Sequence, residues 1–318
     1  MRTCRQRSIR KRGLKEPLAY HVVVHALEAE AGWSADRRFA AAVSHAVDGH
    51  LAYPRYHAAG RARAREGIGE EGVQRLVRDF LETDLNPAIA FLANLNRAES
   101  ALRGYNLYNA TANLAVRTSV DIKDQGQRGV RRLAAARDLR TLADDPSPCR
   151  TATLTVAASV IEHVQSGGTC LSRPLSVSHL AEILGRGYGI GADVARAIED
   201  DWLAPLSLLP RKLGCHKRTL ERSLRDVGLT AQALRRADRM MRATAGLFSG
   251  HTLTSIAADC GFSDAAHMSR SFRASCGLTP TMLVEIARDD RKADGFESRL
   301  PYGRPHGQMM HRAAFDEL

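Results

Sequence analysis

The chain has 318 residues, a formal net charge of +11 and a sequence pI near 9.8. Hydrophobic residues make up 44% of it, enough for a packed core, while the 5% of aromatic residues argues against a large aromatic-rich β domain. The positive charge favours a polyanionic partner, most often nucleic acid. No apolar run could span a bilayer, no secretory signal follows the basic N-terminus, and the cysteines lack Cys-x-x-Cys spacing. We therefore predict a soluble, cytoplasmic protein with no membrane partner and no cofactor.

The length suggests two domains with a charged arm in front of them. The first 15 residues carry seven Lys or Arg and no acid, so residues 1–19 are predicted to form a basic flexible arm. The sequence leaves open whether this arm lies along DNA phosphates or only keeps the chain in solution. Residues 20–165 are predicted to be a helical N-terminal domain for sensing or dimerisation, residues 166–200 a connector, and residues 289–318 a disordered tail.

Apolar residues recur at helical spacing through most of the N-terminal domain. Pro87 stands at a helix start, where the missing N–H of proline costs nothing. Residues 60–69 are charged and bounded by glycines, which predicts a loop. Strand-like alternation is too sparse here to support a β-barrel. The predicted helices span 37–51, 72–81, 88–102, 121–138 and 151–164.

Two clusters in this domain could carry chemistry. His21 and His25 stand four residues apart, so on a helix they could share a metal ion. The valines between them suit a strand equally well, and no Glu follows the first histidine as it does in zinc proteases. We assign no metal site to the pair. Tyr105 and Tyr108, with nearby asparagines, could line a ligand pocket, but helix packing is the commoner role of such a cluster, and the ligand stays unknown.

The most informative stretch is 201–288, because two segments in it follow one pattern. Each has a helix with apolar residues four apart, Leu220 and Leu224 in the first and Met268 and Phe272 in the second. A glycine separates that helix from a shorter apolar one before it. Helix, glycine turn and a second helix with one buried stripe make up a helix-turn-helix motif. We therefore predict two such motifs in tandem.

The exposed face of the first motif's second helix suits DNA. With its leucines turned inward, Arg218, Arg222 and Arg225 point outward together with Glu221. Arginine can fork onto guanine edges or clamp phosphates, and glutamate can accept a hydrogen bond from cytosine. The second motif presents smaller residues, among them Ala266, which can only touch a thymine methyl. We expect more base recognition from the first motif than from the second.

Four segments in this stretch also carry a family resemblance: Arg218 to Arg225, Ile256 to Asp264, Ser269 to Arg273, and Gly277 to Pro280. In order and spacing they resemble the AraC/XylS family of bacterial transcription regulators. The resemblance implies a mainly α fold in which a long helix, here 231–248, joins two helix-turn-helix units that sit in adjacent major grooves. It covers under a third of the chain and implies no effector, because the family's N-terminal β-barrel is not supported here.

Carried over position by position, the resemblance implies DNA contacts from both recognition helices. The predicted DNA-binding residues are Lys217, Arg218, Glu221, Arg222, Arg225, Ala266, Ser269, Arg270 and Arg273. Three positions depart from the family's pattern. His216 replaces the usual capping serine, Pro210 falls where it should kink or break the first helix, and Met268 replaces an aromatic residue. These departures bear on stability more than on DNA contact.

The function that the sequence predicts is a sequence-specific transcription regulator that reads two adjacent major-groove segments at a promoter, and not an enzyme. Double-stranded DNA is the expected partner, and the resemblance adds RNA polymerase. A homodimer and a small-molecule effector stay open. The alternatives are a non-specific architectural or replication-associated DNA binder, and an N-terminal enzyme fused to a DNA-binding domain.

Overall fold

The computed structural model describes residues 18–29, 33–111, 114–125, 130–140, 144–171, 173–174, 176–185 and 189–293. Of the predicted basic arm only the last two residues fall within these ranges, and residues 294–318 of the predicted tail lie outside them. The fold is mainly helical, as predicted, with two small sheets in the N-terminal part. None of the described helices combines the length and apolar character that a bilayer crossing requires.

The N-terminal part consists of seven helices and two antiparallel strand pairs within the described residues. β1 pairs with β2, and β3 pairs with β4. The elements are β1 (Leu18–Tyr20), α1 (His21–Glu28), α2 (Ala35–Val47), β2 (His50–Ala52), α3 (Tyr53–Arg65), α4 (Glu70–Leu81), α5 (Pro87–Ala93), α6 (Ala98–Thr111), β3 (Val116–Gln125), β4 (Val130–Leu139) and α7 (Ser147–Gln165).

Helix α1 is the centre of this part. Its residues from His21 to Leu27 are all buried, and α3, α4 and α7 pack around it. The predicted stripe of α4 is confirmed, since Val73, Val77 and Phe80 are buried on one side of that helix. The predicted start at Pro87 is also confirmed, because the Asn86 side chain accepts hydrogen bonds from the first backbone N–H groups of α5.

The predicted helix over 121–138 is wrong. Its described residues, 121–125 and 130–138, lie in the antiparallel β3–β4 pair, whose register runs from Val116 opposite Leu139 to Gln125 opposite Val130. β-Branched residues occupy every second position in the first part of β3, a pattern that favours a strand. The many charged residues of the segment obscured this two-residue period. The Asn106 side chain anchors the hairpin to α6, because it accepts from the Val120 N–H at 2.9 Å and donates to the Val120 carbonyl at 2.8 Å.

Three other predicted boundaries are wrong. The loop predicted over 60–69 is helical as far as Arg65. The helix predicted over 88–102 is interrupted between α5 and α6, where the Asp290 carboxylate accepts from the N–H groups of Asn96 and Arg97 at 2.9 and 3.2 Å. Asp290 is itself buried in a helix that runs through Ala293, so the tail predicted to be disordered is helical over 289–293.

The C-terminal part is helical throughout its described residues. Helix α9 lies in the predicted connector but packs with α10, α11 and α12. The elements are α8 (Val177–Ile183), α9 (Ile190–Asp200), a 3-10 turn (Leu206–Leu208), α10 (Leu209–Lys212), α11 (Lys217–Asp226), α12 (Ala231–Gly246), α13 (Leu253–Asp259), α14 (Ala265–Cys276) and α15 (Pro280–Ala293).

Helix α2 joins the two parts. Its residues Phe39, Ala42 and Val43 share an apolar cluster with α9, α11 and α12. At its C-terminal end, the Ser275 hydroxyl of α14 donates to the Ala46 carbonyl at 3.0 Å. The Gly49 N–H donates to the Ser275 carbonyl at 2.6 Å. The N-terminal part therefore contacts the long helix α12 and the end of α14 through α2, and α5 packs against both of these helices as well.

Gly49→Ala should destabilise this junction. A Cβ at residue 49 would overlap the Ser275 carbonyl and the Asn86 side chain, and a backbone carbonyl cannot turn aside as a flexible side chain can. We expect a loss of about 1–3 kcal/mol in the free energy of unfolding, measured by urea denaturation. The control is Gly69→Ala, where a Cβ meets nothing within 4 Å. Equal losses in both variants would contradict the close approach at Gly49.

Candidate nucleic-acid interface

The first motif consists of the 3-10 turn, α10, a glycine turn and α11. Pro210 lies in the first turn of α10, where proline fits the helix start. The chain here is a 3-10 turn followed by a four-residue helix, which agrees with the expected interruption of the first helix at this proline. Gly214 makes the turn into α11 with φ of 61°. The cap of α11 is weak, as expected, because the His216 side chain accepts no capping hydrogen bond.

Helix α11 buries two side chains and exposes its cations. Leu220 and Leu224 are its buried residues. The predicted DNA-binding residues of this helix are all exposed: Lys217, Arg218, Glu221, Arg222 and Arg225. Nζ of Lys217 lies 3.8 Å from Oε1 of Glu221, a loose pair that leaves both groups solvated. The outward face of α11 thus offers four cationic side chains and the Glu221 carboxylate, with a second exposed carboxylate, Asp226, at the last residue of the helix.

The second motif has stronger local signals. The Thr252 hydroxyl caps α13 by accepting from the Ser255 N–H at 3.2 Å. Gly261 makes the turn with φ of 76°, in the left-handed region where a side chain would be strained. Asp264 caps α14, since its carboxylate accepts from the His267 N–H at 2.6 Å. That hydrogen bond, followed by one from the Ser263 hydroxyl, lowers the pKa of Asp264 below its usual value.

Helix α14 packs against the core through the fully buried side chains of Met268 and Phe272. Met268, which departs from the usual aromatic residue, still fills a core position. On the other side of the helix Ala266, Arg270 and Arg273 are exposed and Ser269 is half-buried. These four side chains line one shallow groove together with Thr279 and Thr281. The structure therefore brings the predicted residues of α14 together on one surface.

A family model described as a helix-turn-helix domain matches residues 209–285. These residues form an AraC-type helix-turn-helix domain. No curated protein matches the chain. Among solved structures, ToxT from Vibrio cholerae O395 is 14% identical, with a TM-score of 0.31 over 41% of this chain and 56% of the ToxT chain. The match thus spans little more than half the length of ToxT, and a likeness this low does not bear on the fold.

Two arginines of α12, the long helix of the AraC-type domain, hold that helix in place. Arg235 is buried and donates to the Ala204 carbonyl at 2.8 Å. Arg242 pairs with Asp238 at 2.9 Å, donates to the Glu199 carbonyl at 3.0 Å, and stacks over the Trp202 ring. These contacts fasten α12 to the segment after α9. The spacing between α11 and α14 is therefore set by a firmly packed connecting helix.

Outside the AraC-type domain, the structure resolves the two clusters that the sequence left open. The Tyr105 hydroxyl is buried and donates to the Thr153 carbonyl at 3.2 Å. Together with the Asn106 contacts to β3, this supports the packing interpretation of the aromatic cluster. His21 and His25 are buried on α1, and a third histidine, His45 of α2, lies against them. His45 could not be assigned to this cluster from the sequence. It lies 24 residues after His21, and nothing in that spacing shows that α2 packs against α1.

Burial keeps His21 and His25 uncharged. For both residues burial is the largest cause of the shift. The pKa of His21 lies far below its usual value, and the pKa of His25 is lowered to about 2. The neighbouring His45 ring lowers both further, because two cations would otherwise face each other without solvent. Both imidazoles are therefore neutral near pH 7 and each keeps a nitrogen lone pair.

Proposed function

We propose that the chain is a sequence-specific transcription regulator that places α11 and α14 in adjacent major-groove segments of a promoter. The AraC-type domain already implies a DNA-binding regulator. The observation that supports sequence recognition is that both second helices bury their apolar stripe and leave the predicted DNA-binding side chains exposed, apart from the half-buried Ser269. An α-helix of that kind fits the major groove, where each base pair shows a distinct pattern of donors and acceptors.

The roles of the α11 residues follow from their chemistry. Arg218 and Arg222 each present a planar fork that matches the guanine O6 and N7 atoms, and Glu221 accepts from the cytosine amino group. Lys217 and Arg225, at the two ends of the helix, suit phosphate contacts, which fix the position of a protein on DNA without reading its sequence. We assign base recognition to the middle of α11 and phosphate contacts to its ends.

Helix α14 offers a smaller set of contacts. Arg270 is its exposed cation nearest the middle of the helix and is proposed to contact a base edge, with Ser269 beside it. Ala266 suits a thymine methyl, and Arg273 suits a phosphate. Because α14 presents fewer donors than α11, we expect its half of the DNA site to be less strictly defined.

The N-terminal part, residues 20–165, is proposed to sense a signal or to dimerise, and RNA polymerase is the proposed partner at the promoter. What supports a regulatory role is the packing of α2 against both α12 and α14. A change in the N-terminal part would reach the recognition helices through that contact.

Selection of duplexes from a random pool at physiological salt tests the proposed function with the full chain. We expect an enriched two-part motif, with bound fragments favoured over random DNA by at least about 1,000-fold. A non-specific architectural binder would instead enrich no motif, and its affinity would fall equally on all sequences as salt rises. Arg65→Ala, which removes an exposed cation from α3, serves as a control that should select the same motif.

A further inference from the structure

Three buried histidines meet in the N-terminal part. His21 and His25 project from α1 one turn apart, and His45 projects from α2. The His45 ring centroid lies 3.9 Å from that of His21 and 4.9 Å from that of His25, and the His21 and His25 centroids are 4.1 Å apart. One nitrogen of each ring lies within 4.8 Å of one nitrogen of each other ring. Nitrogens this close together could act as ligands of one shared ion.

Each of the three rings also has a buried nitrogen without a hydrogen-bond partner in the described part of the chain. His21 Nδ1, His25 Nδ1 and His45 Nε2 are buried and have no hydrogen-bond partner among the residues that the structure describes. A buried polar nitrogen without a partner is unfavourable, and three together are rare in a folded core. A cation bound between the rings could accept one nitrogen lone pair from each of them.

Asp84 orients the His45 ring through a hydrogen bond. Both side chains are fully buried, and Nδ1 of His45 donates to Oδ1 of Asp84 at 2.7 Å. This hydrogen bond places the proton of His45 on Nδ1 and leaves the lone pair on Nε2. The Asn86 N–H holds the other carboxylate oxygen at 3.1 Å. A carboxylate behind a ligating histidine is the usual outer support of a protein zinc site, where it fixes the tautomer and raises the basicity of the ring.

We propose that His21, His25 and His45 bind one divalent transition-metal ion of the zinc class, with Asp84 as the positioning residue behind His45. Three imidazole nitrogens are a ligand set that suits zinc, cobalt, nickel and copper rather than magnesium or calcium. A tetrahedral ion would keep its fourth position for water or a small ligand. Trp33 and Phe80 border the cluster and shield it from solvent.

One cation competes for this cluster. A guanidinium nitrogen of Arg55 lies 3.3 Å from Nε2 of His25, a long contact. Arg55 makes much shorter bonds to the Glu28 carboxylate, at 2.7 and 2.6 Å. Arg55 can therefore keep its pair with Glu28 and give up His25 when a metal ion binds.

Helix α2 also connects the histidine cluster to the recognition helix α14. An effect of the metal ion on DNA binding would pass through this contact, and it rests on the proposed function. His45 is followed in α2 by Ala46, whose carbonyl accepts the hydrogen bond from Ser275 of α14. An ion that ties His45 to α1 would fix the end of α2 that α14 contacts. We infer that metal occupancy changes the affinity of the chain for its selected DNA by at least about fivefold, the lower range for coupled sites.

The first experiment measures metal binding by the full chain without DNA. Metal-free protein is titrated with Zn²⁺ by calorimetry, and with Co²⁺ by visible absorption, which shows intense d–d bands only in tetrahedral sites. We expect one tightly bound ion per chain and tetrahedral Co²⁺ bands that Zn²⁺ abolishes. His21→Ala and His45→Ala should each weaken binding by 100-fold or more, and Asp84→Asn by about 10–100-fold.

The matched control is His50→Gln, because His50 is also buried but lies outside the cluster. It should retain full metal affinity, and circular dichroism should show each variant folded. Wild-type protein that binds neither ion, or cluster variants that bind as tightly as wild type, would overturn the site. Loss of binding in His50→Gln equal to that in His45→Ala would do the same.

The second experiment measures DNA affinity with and without Zn²⁺. A difference of fivefold or more that disappears in His45→Ala would support the coupling. Tight metal binding with the same DNA affinity in both states would overturn the coupling while leaving the site intact. Failure to select any DNA motif in either state would count against the proposed function, and the metal titration would still stand by itself.

Discussion

Phe272→Ala should lower the free energy of unfolding by about 3–5 kcal/mol, the usual cost of removing a buried phenylalanine side chain. Phe272 is fully buried in α14 and belongs to the apolar cluster that continues through the N-terminal part. Removing its side chain would leave a cavity between α14, the second recognition helix, and the core. Urea denaturation followed by circular dichroism measures the effect.

Two variants serve as controls for Phe272→Ala. Phe272→Leu keeps much of the apolar volume and should cost less. Thr219→Ala changes an exposed residue of α11 and should alter the stability by no more than about 0.5 kcal/mol. A loss below about 1 kcal/mol in Phe272→Ala would mean that α14 is not packed in the core as described.

Arg222→Ala should weaken binding to the selected DNA by about 1–3 kcal/mol, roughly 5- to 150-fold. Arg222 is exposed near the middle of α11, one turn from Arg218, where a guanidinium can reach a guanine edge. The same change should have a smaller effect on random DNA, because phosphate contacts carry most non-specific binding. Fluorescence anisotropy with labelled duplexes measures both affinities at fixed salt.

The control for Arg222→Ala is Arg65→Ala, which removes the same charge from an exposed position on α3. Its effect on both duplexes should be small and equal. If Arg222→Ala lost as much affinity for random DNA as for the selected site, Arg222 would contact phosphate alone, and base recognition would have to come from elsewhere on α11.

The DNA-binding part could be predicted closely from the sequence because its signals are local. Helix periodicity gives the buried stripe of Leu220 and Leu224, and the exposed cations follow from it. The turn at Gly261 and the cap at Asp264 are also local, since each depends on residues within a few positions. Such features need no knowledge of how distant segments pack.

The remaining features could not be predicted, because they depend on contacts between distant residues. Asp290 accepts from the Asn96 N–H, in the turn before α6, across 194 residues, and Ser275 reaches Ala46 across 229. The histidine cluster needs α2 to return against α1, which no spacing in the sequence shows. The β3–β4 hairpin is a different failure, since its alternation was present in the sequence but its charge suggested an exposed helix.

Repeating the DNA selection with Arg222→Ala and Arg270→Ala tests most directly whether α11 and α14 each read a different part of one site. We expect each variant to lose sequence preference in one half only, in different halves, with the halves about one helical turn apart. Loss of preference at the same positions in both variants, or none in either, would contradict paired recognition by the two helices.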